Sequence, residues 1–414
     1  MAGEATASIV GSQAALKVLY PKGELPKSIN EMYVLHKRLK KDTDFVGELA
    51  VIPIQNANPQ GSSAVFSTAQ ASVWQGNYLR FQLTRKQHYG VARVTGEAAE
   101  AAVKSEGAMV DLWDNETKGI ATTEMSTLAT YLYGIGDGVL GQVASGQATT
   151  TVTLAVGTNM NYFELNMSVR SVSAVGYAAA PTVRAVTARI TSIDRRNRIL
   201  TLSAAITGQL VTDWFVRAGD EVTASGTPSV ISGLRAVVAG GTAPGTLHQL
   251  DRNQDPVRLA GQAIDYSGWA TEDAVVDASA QSGFQGIGYP NVLICNNIEA
   301  AAMKKSLAGK LVFNRPGSSA ANYSFSDVGI EGENGSIEVL SDPFCPRNEA
   351  YLLKLDAFSL FSLKAAPHLA KYDGMEFLRL QSEDAYEVRF VFYGNLKCKN
   401  PGPHVRLINF GVGA

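Results

Sequence analysis

The sequence has little of what catalytic and metal-binding chains usually display. It holds three cysteines among 414 residues, and Cys295, Cys345 and Cys398 lie too far apart for the short ligand spacing of a zinc site. Their odd number also argues against a disulfide framework. The histidines stand singly, without an H-E-x-x-H pattern, and Ser282 does not lie in a G-x-S-x-G turn. We therefore predict no metal, no cofactor and no catalytic residue.

Charged residues are also few, at 18% of the chain, and the formal net charge is only −2. Such a chain has no basic field that would attract nucleic acid or an anionic membrane. No stretch approaches the ~18 consecutive apolar residues that suggest a membrane-spanning helix. The first residues lack the basic start and apolar core of a signal peptide. These absences predict an intracellular, reduced protein without a membrane partner.

Turn residues are plentiful, with 39 glycines, and the hydrophobic period changes along the chain. Residues 1–60 have scattered prolines and are predicted to form an extended arm. Their basic cluster "HKRLKK" (36–41) is typical of a solvated helix face, and contact with a packaged polyanion is the alternative. Residues 72–94 alternate with a period of two on either side of a polar "RKQH", which predicts a long β-hairpin.

A helical period follows the hairpin. Thr95 is a candidate N-cap, and apolar residues at three- and four-residue steps predict one long, interrupted helix over 96–134. The two elements carry opposite charge. Residues 78–93 have four basic side chains and no acid, whereas 97–124 have seven acids and two lysines. A basic hairpin beside an acidic helix is the most informative pairing in the sequence.

Glycines in "YLYGIGDGVLGQV" (131–143) have the G-x-G-x-x-G spacing of a dinucleotide-binding turn, and Glu164 follows where a ribose-binding acid would lie. That turn requires a strand before the glycines and a helix after them. Here a helical pattern comes first and β-rich sequence follows. We therefore interpret them as a helix-to-sheet junction that needs left-handed backbone dihedrals. The junction glycines are Gly134, Gly136, Gly138 and Gly141.

The rest of the chain is β-rich and then mixed. Short strands at 8–12-residue spacing over 146–226 predict a small barrel or sandwich inserted into a larger unit, with a hairpin at 190–203 and a strand–turn–strand at 214–225. The remainder alternates helices and strands. Its predicted elements are helices at 269–284 and 297–310, a buried strand at 291–296, strands within 336–363 and a long strand at 386–401.

In this order the parts resemble the major capsid proteins of tailed double-stranded-DNA phages, the Hong Kong 97 type fold. The likeness covers nearly the whole chain and rests on the order of four segments. These are "HYGVARVTGEAAEAAV" (88–103), "LYGIGDGVLGQV" (132–143), "IEVLSDPFCPRNEAYLLKLDAFSLFSL" (337–363) and "DAYEVRFVFYGNLKCKNP" (384–401).

The resemblance implies an α+β capsid fold in six parts. They are an N-terminal arm (1–60), an extended β-hairpin or E-loop (61–94), a long spine helix with the start of a peripheral domain (95–145), a β-rich insertion domain (146–226), a mainly axial domain (227–345), and the return to the peripheral domain with the C-terminus (346–414).

The implied function is structural, not enzymatic: self-assembly into the icosahedral head that encloses phage DNA. The expected partners are copies of the chain in pentamers and hexamers, a separate scaffolding protein, a portal, packaged DNA contacted without sequence specificity, and a decoration protein. Assembly would occur in the host bacterial cytoplasm, and the product would reside in the virion capsid.

In such shells the hairpin lies over the neighbouring subunit, so its basic residues would contact the neighbour's acidic helix. Surface ion pairs of this kind set register more than strength, at ~0–1 kcal/mol each. The residues expected at this contact are Arg80, Arg85, Lys86 and Arg93, against Glu97, Glu100, Glu106, Asp111 and Asp114 of the neighbour.

Two processing steps occur in some relatives. Because only about 60 residues precede the hairpin, we expect no maturation cleavage of the arm and a separate scaffold. An inter-subunit isopeptide bond would join Lys86 to Asn395 or Asn400, but no motif supports it, and a noncovalent shell is favoured.

Three alternatives remain open at this point. An encapsulin-like shell of the same fold would enclose enzymes in a cellular nanocompartment instead of DNA. A β-rich tail or adhesin protein is disfavoured by the long helix and the α/β half. A nucleotide-dependent enzyme would bind a dinucleotide saturably as a soluble monomer.

Overall fold

The computed structural model describes residues 32–97, 112–285, 288–308, 329–333, 335–371, 374–375, 377–381 and 383–412. Two six-stranded sheets form the body, to which a closed six-stranded barrel and a two-stranded ribbon are joined. The helices are Val34–Arg38, Phe66–Ala71, Leu112–Tyr131, Leu234–Val237, Pro256–Ala260, Thr271–Phe284 and Asn297–Ala308.

The first body sheet is organised around one long strand, Ala385–Cys398. This strand pairs antiparallel with four other strands, one of them from the first quarter of the chain. Lys40–Asp42 pairs in parallel with Phe358–Ser362 and forms one edge of the sheet. Its alternating pattern, which predicted a strand at 386–401, is explained in part by Phe392, Leu396 and Cys398, which share one face of the strand and pack into the large core. Its antiparallel partners are Lys86–Thr95, Phe358–Ser362, His368–Leu369 and Leu378–Arg379.

The second body sheet separates two hydrophobic cores. In its central strand, Val292–Cys295, Val292 and Ile294 pack into the large core shared with the barrel, whereas Leu293 and Cys295 pack into a second core beneath helix Thr271–Phe284. Successive side chains point to opposite faces, so a strand covered on both faces is apolar throughout. The strand order is Gln262–Asp265, Val405–Ile408, Glu349–Leu353, Val292–Cys295, Gly335–Ser341 and Gly329–Gly332.

The β-rich segment forms a closed barrel, and its interior is filled by side chains, as expected for a barrel of this size. Phe163 and Phe215 meet edge to face inside it, with ring centroids 6.4 Å apart. The barrel begins earlier than the predicted boundary at 146, because Val139–Ser145 is one of its strands. The six strands are Val139–Ser145, Thr151–Leu154, Ser168–Val172, Ala188–Asp194, Ile199–Leu202 and Trp214–Arg217.

The second strand predicted within 214–225 is wrong. Residues 218–225 form a turn and irregular backbone after strand Trp214–Arg217. That strand already pairs with a neighbour on each side, Val139–Ser145 and Ser168–Val172. A returning hairpin partner therefore has no free edge to occupy.

The predicted hairpin at 72–94 is also wrong. Strands Asn77–Thr84 and Lys86–Thr95 are separated only by Arg85 and do not pair with each other. One residue cannot reverse the chain, since the tightest common hairpin loops contain two. Asn77–Thr84 instead pairs with Leu49–Ala57, a stretch that was predicted to belong to the arm, and these two strands form the ribbon.

The predicted arm and long helix are partly described. Within "HKRLKK", Lys37 and Arg38 are exposed as predicted, but His36 and Leu39 are buried and anchor the segment to the body. The central helix, Leu112–Tyr131, ends close to the predicted position, 134. Residues 96–97 are helical, and 98–111 lie outside the described residues.

Candidate functional site: the ribbon apex and the barrel junction

The apex of the ribbon, residues 58–76, is an uncharged surface with exposed apolar side chains. No charged residue occurs from 55 to 77, and no residue of the apex helix Phe66–Ala71 is buried. Phe66 is 81% exposed and Trp74 is 74% exposed. Val65, Val73 and Tyr78 are exposed beside them. Contiguous apolar surface of this kind on a soluble chain usually marks an interaction site.

The four predicted basic contact residues have different environments. Arg80 is exposed, and Arg85 donates through Nη1 to the Gly47 carbonyl at 2.9 Å. Lys86 donates to the Pro228 carbonyl, and burial lowers the pKa of its ammonium. Arg93 forms an ion pair with Glu387 at 2.9 Å on the adjoining strand. Arg85, Lys86 and Arg93 therefore already hold partners within their own chain.

Of the five predicted acidic contact residues, only Glu97 has a described side chain, and it is exposed. Glu100, Glu106 and Asp111 lie outside the described residues. Asp114 lies in the central helix, and the side chains of its first residues are likewise not described. The predicted contact between these basic residues and the acids of a neighbouring subunit therefore stays a prediction.

Three of the predicted junction glycines, Gly134, Gly136 and Gly138, lie between the end of the central helix and the first barrel strand, and Gly141 lies within that strand. Gly136 and Gly138 have φ of +101° and +71°, values that L side chains rarely adopt. A Cβ on Gly138 would lie 2.6 Å from the Asp220 carbonyl, and one on Gly141 would lie 2.6 Å from Thr158 Cγ2. Gly134 has room for a side chain, since its nearest neighbour would be 3.4 Å away.

A buried ionic cluster lies beside these glycines. His88 Nδ1 is 2.7 Å from Glu124 Oε2, and its Nε2 is 3.4 Å from Asp220 Oδ2. Tyr131 donates its hydroxyl to the same Asp220 carboxylate. Burial, the Asp220 charge and that hydrogen bond raise the pKa of Tyr131 well above its usual value, so the phenol stays protonated. The cluster joins the first body sheet, the central helix and the segment leaving the barrel.

Other polar contacts fasten the barrel to the body. Arg217 on the last barrel strand donates to Thr127 Oγ1 of the central helix at 3.0 Å. Asn159 donates through Nδ2 to two carbonyls of the body loop at 343–345, Pro343 at 2.7 Å and Cys345 at 3.0 Å. Buried side-chain donors therefore satisfy carbonyls along the seam between barrel and body.

The cysteine thiols, which could act as nucleophiles or metal ligands, are enclosed in the protein interior. All three cysteines are free and buried, and burial raises the pKa of Cys295 and of Cys398 to about 12. Among the described residues, no group of three or more His, Cys, Asp or Glu side chains is placed to hold a metal ion. Nor does any described helix have the length and apolar content to cross a membrane.

Comparisons with solved structures identify the fold. The capsid asymmetric unit of cyanophage A-1(L) matches over 98% of this chain and 100% of that one, with a TM-score of 0.59 at 12% sequence identity. The chain has the phage capsid fold. The capsid of an empty GTA particle, computed with C5 symmetry, matches over 98% and 99% of the two chains, with a TM-score of 0.50 at 9% identity. No protein-family model and no curated protein matches the sequence.

The capsid fold confirms the α+β class and the resemblance that the order of the segments predicted. Sequence reasoning nevertheless missed two functional features. It assigned the ribbon to strands 77–84 and 86–95 instead of 49–57 and 77–84. It also counted Glu124 among the seven acids of an acidic helix without a partner for it, although this residue faces His88 and is 4% exposed. No local pattern connects His88, Glu124 and Asp220. The one nearby signal is Gly90, where a Cβ would lie 2.5 Å from Glu124.

Proposed function

We propose that the chain is the major capsid protein of a tailed double-stranded-DNA phage, a structural subunit that self-assembles into the icosahedral head. The observation that carries the proposal is the full-length match to a phage capsid subunit at a TM-score of 0.59. Its partners would be copies of itself in pentamers and hexamers, with a separate scaffolding protein, a portal, packaged DNA and a decoration protein. The exposed, uncharged apex supports such assembly, because a chain that acted alone would have no use for it.

Each part of the fold takes a role under this proposal. The ribbon, with strands Leu49–Ala57 and Asn77–Thr84, is the E-loop, and the central helix Leu112–Tyr131 is the spine helix. The barrel is the insertion domain. The first body sheet belongs to the peripheral domain, and the second sheet with its two helices forms the axial domain. These assignments shift the E-loop from 61–94 to 49–84 and start the insertion domain at 139.

The apex contact would depend on apolar burial more than on charge. Burying a large apolar side chain contributes ~1.5–3 kcal/mol, whereas an exposed ion pair contributes ~0–1 kcal/mol. Phe66 and Trp74 would supply the affinity. Arg80 and Arg85, which lie nearer the base of the ribbon, would set the register against acids of the neighbouring subunit.

Electron microscopy of the expressed protein tests this proposal. We expect the wild-type chain, with its scaffold if needed, to form closed shells, and the double variant Phe66→Ser, Trp74→Ser to stay folded but unassembled. Val156→Ser is the matched control, because Val156 is as exposed as Phe66, at 81%, but lies on the barrel. Wild-type protein that never forms a shell would exclude the proposal. Shells that form equally well from the double variant would exclude only the apex contact.

The contents of native shells distinguish the two types of shell protein. A phage head protects nuclease-resistant DNA of genome length, and terminase and portal genes lie beside its gene. A nanocompartment shell would contain a cargo enzyme and no such DNA. Saturable binding of a dinucleotide to the soluble monomer would instead support the nucleotide-dependent enzyme.

A further inference from the structure

The position of His88 is unusual because three separate parts of the chain converge on one imidazole. The ring lies on strand Lys86–Thr95 of the first body sheet. Glu124 approaches from the central helix, and Asp220 approaches from the segment that leaves the barrel. The side chains of all three are mostly enclosed, with exposures of 16%, 4% and 13% for His88, Glu124 and Asp220.

The geometry of the ring requires a specific protonation state. Each ring nitrogen faces a carboxylate oxygen, and a neutral imidazole has only one N–H to donate. The neutral ring would therefore leave one buried carboxylate facing a lone pair. The imidazolium donates to both carboxylates and places its positive charge between them, which gives charge-assisted hydrogen bonds on both sides.

The other groups packed around the ring do not replace this charge. Tyr131 approaches edge-on, with ring centroids 5.9 Å apart, and donates to Asp220. Lys86 points its ammonium to the Pro228 carbonyl. Arg217 donates to Thr127 Oγ1. On the adjoining strand, the residue that pairs with His88 is the apolar Phe392.

The barrel enters and leaves the body at this same place. The chain enters the barrel through Gly136 and Gly138, both of which have left-handed backbone dihedrals. Gly138 lies directly against Asp220. On the way out, Ser229 donates its backbone N–H to the Gly136 carbonyl at 2.8 Å. The two connections between barrel and body thus lie side by side, and the His88 cluster lies next to both.

We propose that His88 is a protonation-dependent latch that holds the barrel against the central helix and is released when the imidazolium loses its proton. The proposal concerns only how the barrel is attached to the body, so it does not depend on whether the chain forms a shell.

The pKa of His88 supports the latch. Burial by itself would lower this pKa, but the hydrogen bonds and charges of Asp220 and Glu124 raise it to about 9 from the usual 6.5. A raised pKa in the folded state stabilises the attachment fully below the unfolded value of 6.5. That stabilisation is lost as the pH rises through about 9. The latch is therefore closed at neutral pH and opens on the alkaline side.

Amide hydrogen exchange on the full-length monomer tests the latch. His88→Gln and wild type are compared at the same pH, so that the intrinsic exchange rate cancels. Near the attachment, at 134–140 and 217–233, we expect exchange in the variant about tenfold faster at about pH 6, and no difference at about pH 10. His368→Gln is the control, because the hydrogen bond described for His368 goes to the Ala365 carbonyl, and no carboxylate among the described residues is paired with its ring.

A second variant covers the case in which His88→Gln does not fold. Asp220→Asn removes one of the two carboxylates while keeping its shape, and we expect it to move the alkaline opening of the attachment down by about one pH unit. Equal exchange of His88→Gln and wild type at about pH 6 would overturn the latch. So would an effect of either variant that is independent of pH.

Discussion

At the scale of single residues, backbone dihedrals decide which junction glycines can be replaced. Gly134 and Gly138 lie four residues apart, but only Gly138 has a positive φ and a backbone carbonyl, that of Asp220, within 3 Å of where a β-carbon would lie. A β-carbon there would have to move the Asp220 backbone, which the His88 cluster holds in place. The difference between the two glycines is therefore a matter of local geometry, although both lie in the same short glycine-rich stretch.

We expect Gly138→Ala to lower the free energy of unfolding by about 2 kcal/mol or more, from left-handed strain plus the clash with Asp220. Gly134→Ala should change it by less than about 1 kcal/mol. Chemical denaturation of the two variants measures this difference. Equal destabilisation would contradict the account of the junction, as would a loss of dinucleotide affinity in Gly138→Ala.

At the scale of elements, two asparagines from different parts of the chain hold one loop. Asn159 precedes a short 3-10 turn of the barrel region, and Asn296 follows the central strand of the second sheet. Both donate through Nδ2 to the same two carbonyls: Asn296 contacts Pro343 at 3.3 Å and Cys345 at 2.9 Å, in addition to the contacts of Asn159. Either amide alone can satisfy the loop.

Because each amide can substitute for the other, we expect Asn159→Ala and Asn296→Ala each to cost about 1 kcal/mol of stability. The double variant should cost at least about 1 kcal/mol more than the sum, because the buried Cys345 carbonyl would then lose both of its amide donors. The Pro343 carbonyl would keep one donor, Asn161 Nδ2 at 3.1 Å. Denaturant unfolding of the four proteins in a double-mutant cycle gives the coupling. Strict additivity would show that the two contacts are independent.

At the scale of the whole molecule, two of the three groups that could form a covalent cross-link already have partners within the chain. Asn395 is completely buried, donates to the Thr84 carbonyl at 3.0 Å and accepts from the Ser232 N–H at 3.0 Å. Lys86 donates to the Pro228 carbonyl. Neither can reach a neighbouring copy without local unfolding. Asn400 is exposed, but its sequence context has no cross-linking motif.

We therefore expect purified shells, boiled in denaturant, to migrate as single chains on a denaturing gel. Lys86→Arg, which keeps the charge but removes the reactive amine, should leave the band pattern unchanged. A ladder of covalent oligomers would contradict this expectation, and its disappearance in Lys86→Arg would identify the lysine that forms the bond.

The elements themselves could be predicted from local patterns. The alternation over 386–401, the apolar run at 291–296 and the helical period at 269–284 each match an observed element to within a few residues. Such patterns are local because a strand or helix that buries one face repeats its apolar residues with the period of its backbone. The junction between helix and barrel followed from the same reasoning.

The pairing of strands could not be predicted in this way. Period-two alternation in 77–95 is real, but it records which side chains face the core and contains no information about the neighbouring strand. Lys86–Thr95 pairs with a strand that begins at Ala385, nearly 300 residues later. The same limit applies to the candidate site, because the partners of His88 come from two other elements.

By itself, the sequence determined the order of helices and strands, the glycine junction and the lack of catalytic patterns, since these depend on neighbours in the chain. Only the tertiary structure decided that Asn77–Thr84 belongs to a ribbon with an apolar apex, and that His88 is enclosed by two carboxylates. Both depend on contacts between residues that are far apart in the sequence. The free energy of such a contact depends on both residues together, so it cannot be inferred from the sequence around either one.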